Sequence, residues 1–397
     1  MFSFELQAKE GEARVGRLTT PHGDIATPSF VAVGTQATVR AVSGEDLHRI
    51  GTQVIIANAY HLHLHPGEDL IERVGGLHRF MGWKGPLMID SGGFQIFSLG
   101  VGKEHGVGKI APIFPEGHDR GGHFRSKKRK SLVKVDEDGV EFTSYLDGSR
   151  HRFTPEYVIE IERKLGADIN LVLDECTSPL HDYHYTREAM GRTHRWAERG
   201  LEKLRQTPHR SQMLLGIVQG GAYRDLREES AAFVSDKDFD GYAIGGSLGR
   251  SKKDMHRVLE WTIPLLPEDK PRHLLGIGSI DDIFEVVERG IDLFDCVAPT
   301  LMASTGTLFL KDAEGFRIHI LNRRFRYDPL PIDEGCNCYT CSNYSKAYLR
   351  HLFEAKEVLA IRLAAIHNLS FMESLMQSIR DAIKENRYSS LRREWGF

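Results

Sequence analysis

Four polar side chains in this sequence stand where apolar runs stop. "PLMIDSGGFQ" ends its run on Asp90, then continues through Ser91, Gly92 and Gly93 to Phe94. "DINLVLDE" reaches Asp174, "LLGIVQG" reaches Gln219, and "DLFDCVAP" carries Asp295. An ionised acid beside a core must be paired or solvated, so each placement asks for a partner. Two acids facing one substrate suit displacement at an anomeric carbon, one as nucleophile and the other handling the proton. The plainer account makes Asp90 the cap of a following helix and buries Asp295 against a basic partner. Three strand-end acids and a glutamine exceed what those structural roles require. Asp174 and Gln219 also suit base reading: a carboxylate accepts from a ring N–H and an amino group, and an amide donates to a carbonyl. Gly246 would let the backbone approach a flat ligand, and Phe94 offers either a stacking face or an ordinary core ring. "GGSLGR" lacks the glycine spacing and the lysine of a phosphate loop.

The second constellation is metallic. Of five cysteines, Cys336, Cys338 and Cys341 form C-x-C-x-x-C, while Cys176 and Cys296 stand alone. Three thiolates in six residues are no disulfide scaffold; they point to a reducing compartment and a closed structural Cys₃His zinc site. Spacing alone leaves His367 and His351 as candidates for the fourth ligand.

Eight apolar runs must position these groups: 27–34, 53–62, 86–90, 168–175, 214–220, 241–246, 273–278 and 292–299. Helical patterns separate several of them. "TPEYVIEIERKLG" offers Thr154 as N-cap, Pro155 at the first turn, Gly166 as terminator and a stripe of Tyr157, Val158, Ile161 and Leu165. Ser251 with Asp254, and Ser279 with Asp282, read as capping boxes. Alternation of this kind predicts an α/β fold, a (β/α)8 TIM barrel, over a doubly wound open sheet. Such barrels place their sites at strand C-terminal ends, which here also supply Gly276 and Gly278. Residues 1–330 form the expected barrel, with an insertion at about 101–153 that carries the basic run "RSKKRK" and a β-hairpin. Residues 331–397 form the expected zinc-binding helical subdomain, helical over 343–369. "HLHLH" puts His61, His63 and His65 on one strand face, the start of a metal-hydrolase reading. Later strand ends do not support that reading, because they offer Gln219 and Gly246 rather than histidines.

The whole chain bounds these readings. Its 397 residues are 41% hydrophobic, and the net charge is −3. A core of domain size is available, and any RNA site must be a local patch rather than a general cationic surface. No signal peptide is legible, and no uninterrupted apolar run approaches the roughly 18 residues of a membrane span, so a cytoplasmic location is expected.

"DSGGFQIFSLG", "LDECT", "GIVQGG", "FDGYAIGG", "HLLGIG", "GIDLFDCVAPT", the cysteine cluster and "IHNL" occur in this order. Together, over about residues 4–385, the chain resembles the bacterial-type tRNA-guanine transglycosylases. The resemblance implies a zinc-bearing barrel, a homodimer, and base exchange at the wobble guanine of tRNAs for Asp, Asn, His and Tyr. Queuine or 7-aminomethyl-7-deazaguanine would replace the guanine, in queuosine biosynthesis. By motif, Asp295 would be the nucleophile of a covalent tRNA intermediate and Asp90 the proton acceptor. Ser91, Gly92, Gly93, Phe94, Asp174, Gln219, Gly246 and Leu275, where the family usually has Met, would form the base pocket. Gly276, Gly278 and the loop Thr300, Leu301, Met302, Ala303, Ser304 would meet RNA, and His367 would complete the zinc set. Two departures stand out. Leu301 and Ser304 replace the family's two arginines, a loss "RSKKRK" could offset on phosphates. The same loss leaves a non-catalytic tRNA-binding subunit or a re-targeted enzyme as alternatives. Gly249 replaces a common valine, which would leave room for the larger base, queuine.

Overall fold

The computed structural model describes residues 2–97, 133–206 and 212–397. Eight short strands close a barrel. They are β1 (Ser29–Val33), β2 (Ile55–Asn58), β3 (Leu87–Asp90), β4 (Ile169–Leu171), β5 (Met213–Val218), β6 (Gly241–Ile244), β7 (Arg272–Leu274) and β8 (Leu293–Asp295). Their order around the barrel is that of the chain, β8 pairing with β1 in parallel, and closure excludes the open sheet. Nearly every residue of these strands is buried, as expected for strands covered on both faces.

The described residues fall into two compact units, one of Asn58–Phe80 and Met88–His273, the other of Phe2–Ala57, Met81–Leu87 and Leu274–Phe397. In the first, helix Pro155–Leu165 forms as its sequence specifies. Thr154 accepts from the Tyr157 N–H, Pro155 takes the first turn, and Gly166 ends the helix at φ 71°. Val158, Ile161 and Leu165 are buried, but Tyr157 leaves the expected stripe: it is 37% exposed, and its hydroxyl donates to Glu68 at 3.0 Å. The expected hairpin becomes three antiparallel strands, Val133–Asp136, Gly139–Thr143 and Arg150–Phe153. "RSKKRK", at 125–130, lies outside the described residues.

The histidine reading is overturned. The second strand stops at Asn58 rather than at 62, and Ala59–Leu64 is helix. Asn58 starts that helix by accepting from the His61 N–H at 3.3 Å. The three histidines therefore share no strand face. His63 instead joins a polar chain, with Nδ1 at 2.8 Å from Glu68 and Nε2 at 2.9 Å from His151. Burial alone would raise the Glu68 carboxyl, but the His63 hydrogen bond holds it at about 2.

The second unit begins with three antiparallel strands, Ser3–Glu10, Ala13–Thr20 and Gly23–Thr27, where the sequence reading had placed none before residue 27. Its C-terminal segment is four helices, Tyr339–Asn343, Lys346–Glu354, Val358–Lys384 and Tyr388–Glu394, so the expected helical run 343–369 is broken into separate helices. By length and composition Val358–Lys384 could cross a membrane. It is a core helix here: Leu363, His367, Asn368 and Met372 are buried, and Arg380 donates to the Pro28 carbonyl at 2.8 Å. Neither capping box forms as expected. Ser251 accepts from the Asp254 N–H, but Asp254 accepts from Arg250 instead of Ser251. The Ser279 hydroxyl donates to the Asp281 and Asp282 carboxylates and caps no backbone N–H.

One buried ion pair anchors this unit. Arg14 Nε donates to Asp292 Oδ1 at 2.9 Å, and the side chains are 1% and 0% exposed. The Asp292 carbonyl accepts from Ser29 N at 2.9 Å, joining the start of β8 to β1. Removing one partner strands a charge in the core. Arg14→Ala should lower the unfolding free energy by about 3–5 kcal/mol. Arg14→Met with Asp292→Leu should recover most of that loss. Denaturant melts check both, and a loss below about 1 kcal/mol for the single variant would show that the pair is not an anchor.

Candidate functional site

In the first unit, Asp90 is the last residue of β3 and Asn58 the last of β2. Asn58 Nδ2 donates to Asp90 Oδ2 at 2.6 Å while its Oδ1 caps the neighbouring helix. One amide therefore fixes both the histidine helix and the carboxylate. Asp90 Oδ1 also accepts from the Gly92 N–H at 3.4 Å, a cap-like contact with the turn that follows.

Asp174 lies three residues beyond β4 and is buried. Gln219 Nε2 donates to its Oδ2 at 2.5 Å. Burial, with the Asp90 charge adding to it, pushes the Asp174 carboxyl up to about 7. Gln219 Oε1 is buried with no hydrogen-bond partner among the described residues. The same is true of the Ser91 hydroxyl.

The glycines are bare because nothing else fits. A Cβ at Gly93 would lie 2.3 Å from Asp174 Oδ1, and one at Gly246 would lie 2.0 Å from Gln219 Oε1. Gly92 would meet Tyr60 Cβ at 2.5 Å. Phe94 follows on a short helical stretch, 93–97, and is 52% exposed, so its ring is no core ring. The result is an acid, an amide and a second acid gathered together, with bare backbone at Gly93 and Gly246 beside them.

Two residues of this site escaped sequence reasoning. Arg227 is fully buried on helix Arg224–Ser235 and binds four backbone carbonyls. Its donors reach Gly221 at 2.7 Å, Val218 at 2.9 Å, Gly245 at 3.0 Å and Ser247 at 2.8 Å. Those carbonyls flank Gln219 and Gly246, so Arg227 holds the tips of β5 and β6. In the sequence "RDLREES" it looks like any surface helix cation. Asn58 was hidden by reading its strand four residues too far. Cys176, beside Asp174, stays a thiol because burial pushes it well above the ordinary range.

In the second unit, Asp295 ends β8. Its Oδ1 accepts from the Gly276 N–H at 3.1 Å, across the turn that carries Leu275 and follows β7. Gly276 adopts φ 75°, and Gly278 packs on Cys296, where a Cβ would approach to 2.4 Å. The loop after Asp295 is helix Ala298–Ser304. Thr300 and Ala303 are buried, Leu301 and Met302 half-buried, and Ser304 turns its hydroxyl to the Leu301 carbonyl at 2.6 Å. Gly249, in the first unit, does not make the room inferred for it. At φ 101° its Cβ would lie 2.2 Å from Asp254 Cβ, so the turn itself requires glycine, whichever base enters.

The second unit also gathers Cys336, Cys338, Cys341 and His367. His367 Nδ1 lies 3.9, 3.7 and 3.4 Å from the three sulfurs. A tetrahedral ion with metal–sulfur bonds of about 2.3 Å and a metal–nitrogen bond of about 2.1 Å would set them about 3.6 Å apart. The set therefore fits one metal ion with no open position. His367 Nε2 lies 2.7 Å from the Phe309 carbonyl, which fixes the ring with Nδ1 toward the sulfurs. His351 is not part of the cluster.

Comparison with known proteins shows the family of the chain. The family model described as queuine tRNA-ribosyltransferase matches residues 9–113 and 118–396. A relative from Archaeoglobus fulgidus is 50% identical over 99% of this chain and 98% of its own. A queuine tRNA-ribosyltransferase of Roseiflexus sp. is 46% identical over 99% of this chain and 98% of its own. One of Thermoanaerobacter pseudethanolicus is 47% identical over 96% of this chain and 93% of its own. The chain belongs to the queuine tRNA-ribosyltransferase family.

Proposed function

We propose that this protein exchanges the wobble guanine of tRNAs for Asp, Asn, His and Tyr for a 7-deazaguanine, queuine or 7-aminomethyl-7-deazaguanine, in queuosine biosynthesis. The observation that carries the reading is the Asp174–Gln219 pair between the bare walls of Gly93 and Gly246. Ionised Asp174 can accept from the ring N–H and amino group of a guanine, and the free amide hydrogen of Gln219 can donate to its carbonyl. With no Cβ on either wall, a flat base fits edge-on, flipped out of the RNA stack.

The chemistry then needs a nucleophile and a proton carrier, each at a strand C-terminal end as in other barrels. Asp295 attacks the ribose anomeric carbon, the bond to guanine breaks as protonated Asp90 gives the departing ring nitrogen its proton, and the ribose is held as an ester of the Asp295 carboxylate. The incoming base gives its ring proton to Asp90, attacks the same carbon, and releases Asp295. Two inversions restore the starting stereochemistry, and no external energy source is needed. Asn58 keeps Asp90 aimed, and the Gly276 N–H stabilises the charge on Asp295.

Zinc suits the closed Cys₃His set, one ion per chain, in a structural role outside the reaction. Residues 331–397 would be the subdomain it organises. Assembly as a homodimer and work in the cytoplasm, where tRNA is modified, complete the reading.

Three outcomes follow. Labelled guanine should enter a tRNA-Tyr transcript and not tRNA-Phe, and Asp295→Asn should abolish the exchange; label in neither tRNA with the wild type would overturn the reading. Because Asp174 must be ionised to accept, lowering the pH from 8 to 6 should raise the KM for guanine several-fold, while Asp174→Asn should be weak throughout. A flat profile would remove Asp174 from base reading. Metal analysis should find one zinc per chain, lost in Cys341→Ala together with a lowered Tm; an unchanged Tm would deny the ion a structural role.

A further inference from the structure

Residues 317–327 read "RIHILNRRFRY", and the fold leaves their charges in solvent. Strand Arg317–His319 pairs with Thr307–Phe309, and its burial alternates: Arg317 and His319 are exposed, while Ile318 and Ile320 are buried. A short 3₁₀ turn, Arg323–Phe325, follows, capped by Asn322, whose side chain accepts from Arg324 N. Phe325 is buried 6% exposed and pins the turn, leaving Arg323, Arg324 and Arg326 in solvent.

These cations have no acidic partner. Some exposed arginines elsewhere do, Arg17 with Glu5, Arg152 with Asp136 and Arg195 with Glu137, while Arg40, Arg73 and Arg150 stand singly. Among the described residues, no carboxylate stands within ion-pair range of Arg317, Arg323, Arg324 or Arg326. Asp312 and Glu314 do line a cleft of about 410 Å³ with Arg317, His319 and Arg324, yet form no ion pair with them. In a chain of net charge −3, four exposed arginines within ten residues of sequence, none of them ion-paired, outnumber the two acids of that cleft and favour a local positive field. Tyr327 is 82% exposed, and the Arg326 guanidinium lies 5.3 Å from its ring centroid. Exposing a tyrosine this fully gains nothing for the fold. An aromatic face set among arginines is instead the composition that binds RNA, by phosphate contact and by stacking.

We propose that the 317–327 face is a second tRNA contact, gripping phosphodiesters away from the exchanged base and stacking Tyr327 on an unpaired base. The inference rests on the transglycosylase reading for the identity of the RNA. Arginine suits phosphate because its fork binds two oxygens at once. This grip would supply affinity that Leu301 and Ser304 do not.

The test is binding of a labelled tRNA-Tyr transcript to the whole protein across a salt series, with the triple variant Arg323→Gln, Arg324→Gln, Arg326→Gln. Each phosphate contact adds about 0.9 to the slope of log affinity against log salt, so the triple variant should flatten it by about 2 to 3. Its Kd at low salt should rise at least tenfold, with the matching loss of exchange appearing in the KM for tRNA. Arg→Lys at the same three positions should keep most of the slope, and Tyr327→Ala should weaken binding without changing it. A triple-Gln variant with wild-type Kd and slope overturns the proposal, and exchange that continues unaltered would leave the transglycosylase reading standing. Conversely, a flattened slope in a protein that exchanges no guanine would keep the RNA face and remove the catalytic reading.

Discussion

The placement of Gln219 and Gly246 depends on a charge buried where none would be expected. Arg227 is fully buried, and desolvation lowers its guanidinium to about 9, still protonated at neutral pH. Burying an ion without partners costs several kcal/mol, so it persists only because its donors are satisfied. Here the partners are not acids but the carbonyls of residues 218, 221, 245 and 247. Strand ends leave such carbonyls without a ladder, and two loops of tight glycine turns leave many. One planar fork gathers them at fixed angles, which a lysine ammonium, a single point with three rotating donors, would not do. The tips of β5 and β6 are thereby rigid, and Gln219 and Gly246 ride on them.

The same economy governs Asp90. Its carboxylate is aimed by Asn58, whose other end starts a helix, so side-chain orientation and backbone direction are set by one residue. Rigid placement matters because the proposed chemistry is displacement at one carbon, where misalignment by an ångström is costly. The bare walls at Gly93 and Gly246 are the complement of this rigidity. They let polar groups meet a ligand edge without a side chain having to move aside.

Much of this was legible in the residues. Continuous apolar runs predicted the barrel, because strands covered on both faces need no polar alternation. What each run stopped on marked Asp90, Asp174, Gln219 and Asp295, which stand at or just beyond strand ends in the fold. The spacing of three cysteines foretold a cluster able to hold a metal ion but left the histidine open, since sequence distance does not say which helix face turns inward. What failed has physical causes. "HLHLH" alternates like a strand, but Asn58 supplies a cap and local hydrogen bonding prevailed over pattern. The strand Ser3–Glu10 was missed because it lies half exposed, with Lys, Glu and Gln on it, so no apolar run marks it. Arg227 was invisible because a buried arginine and a solvated one are spelled alike. Gly249 was read as space for a ligand when it is space for Asp254.

His367 and Asn368 are neighbours that tie several elements together. His367 presents Nδ1 to the sulfurs and Nε2 to the Phe309 carbonyl, while Asn368 accepts from Phe309 N and donates to the carbonyls of Pro299 and Thr307. The ligand helix, the strand Thr307–Phe309 and the helix following Asp295 therefore open together or not at all. Local unfolding of that group is a single cooperative event, and an ion bound to its folded form alone raises the opening free energy as mass action requires. Metal supply would then set how long the segment after Asp295 stays closed, and amide hydrogens far from any sulfur would exchange at a rate that reports on the ion.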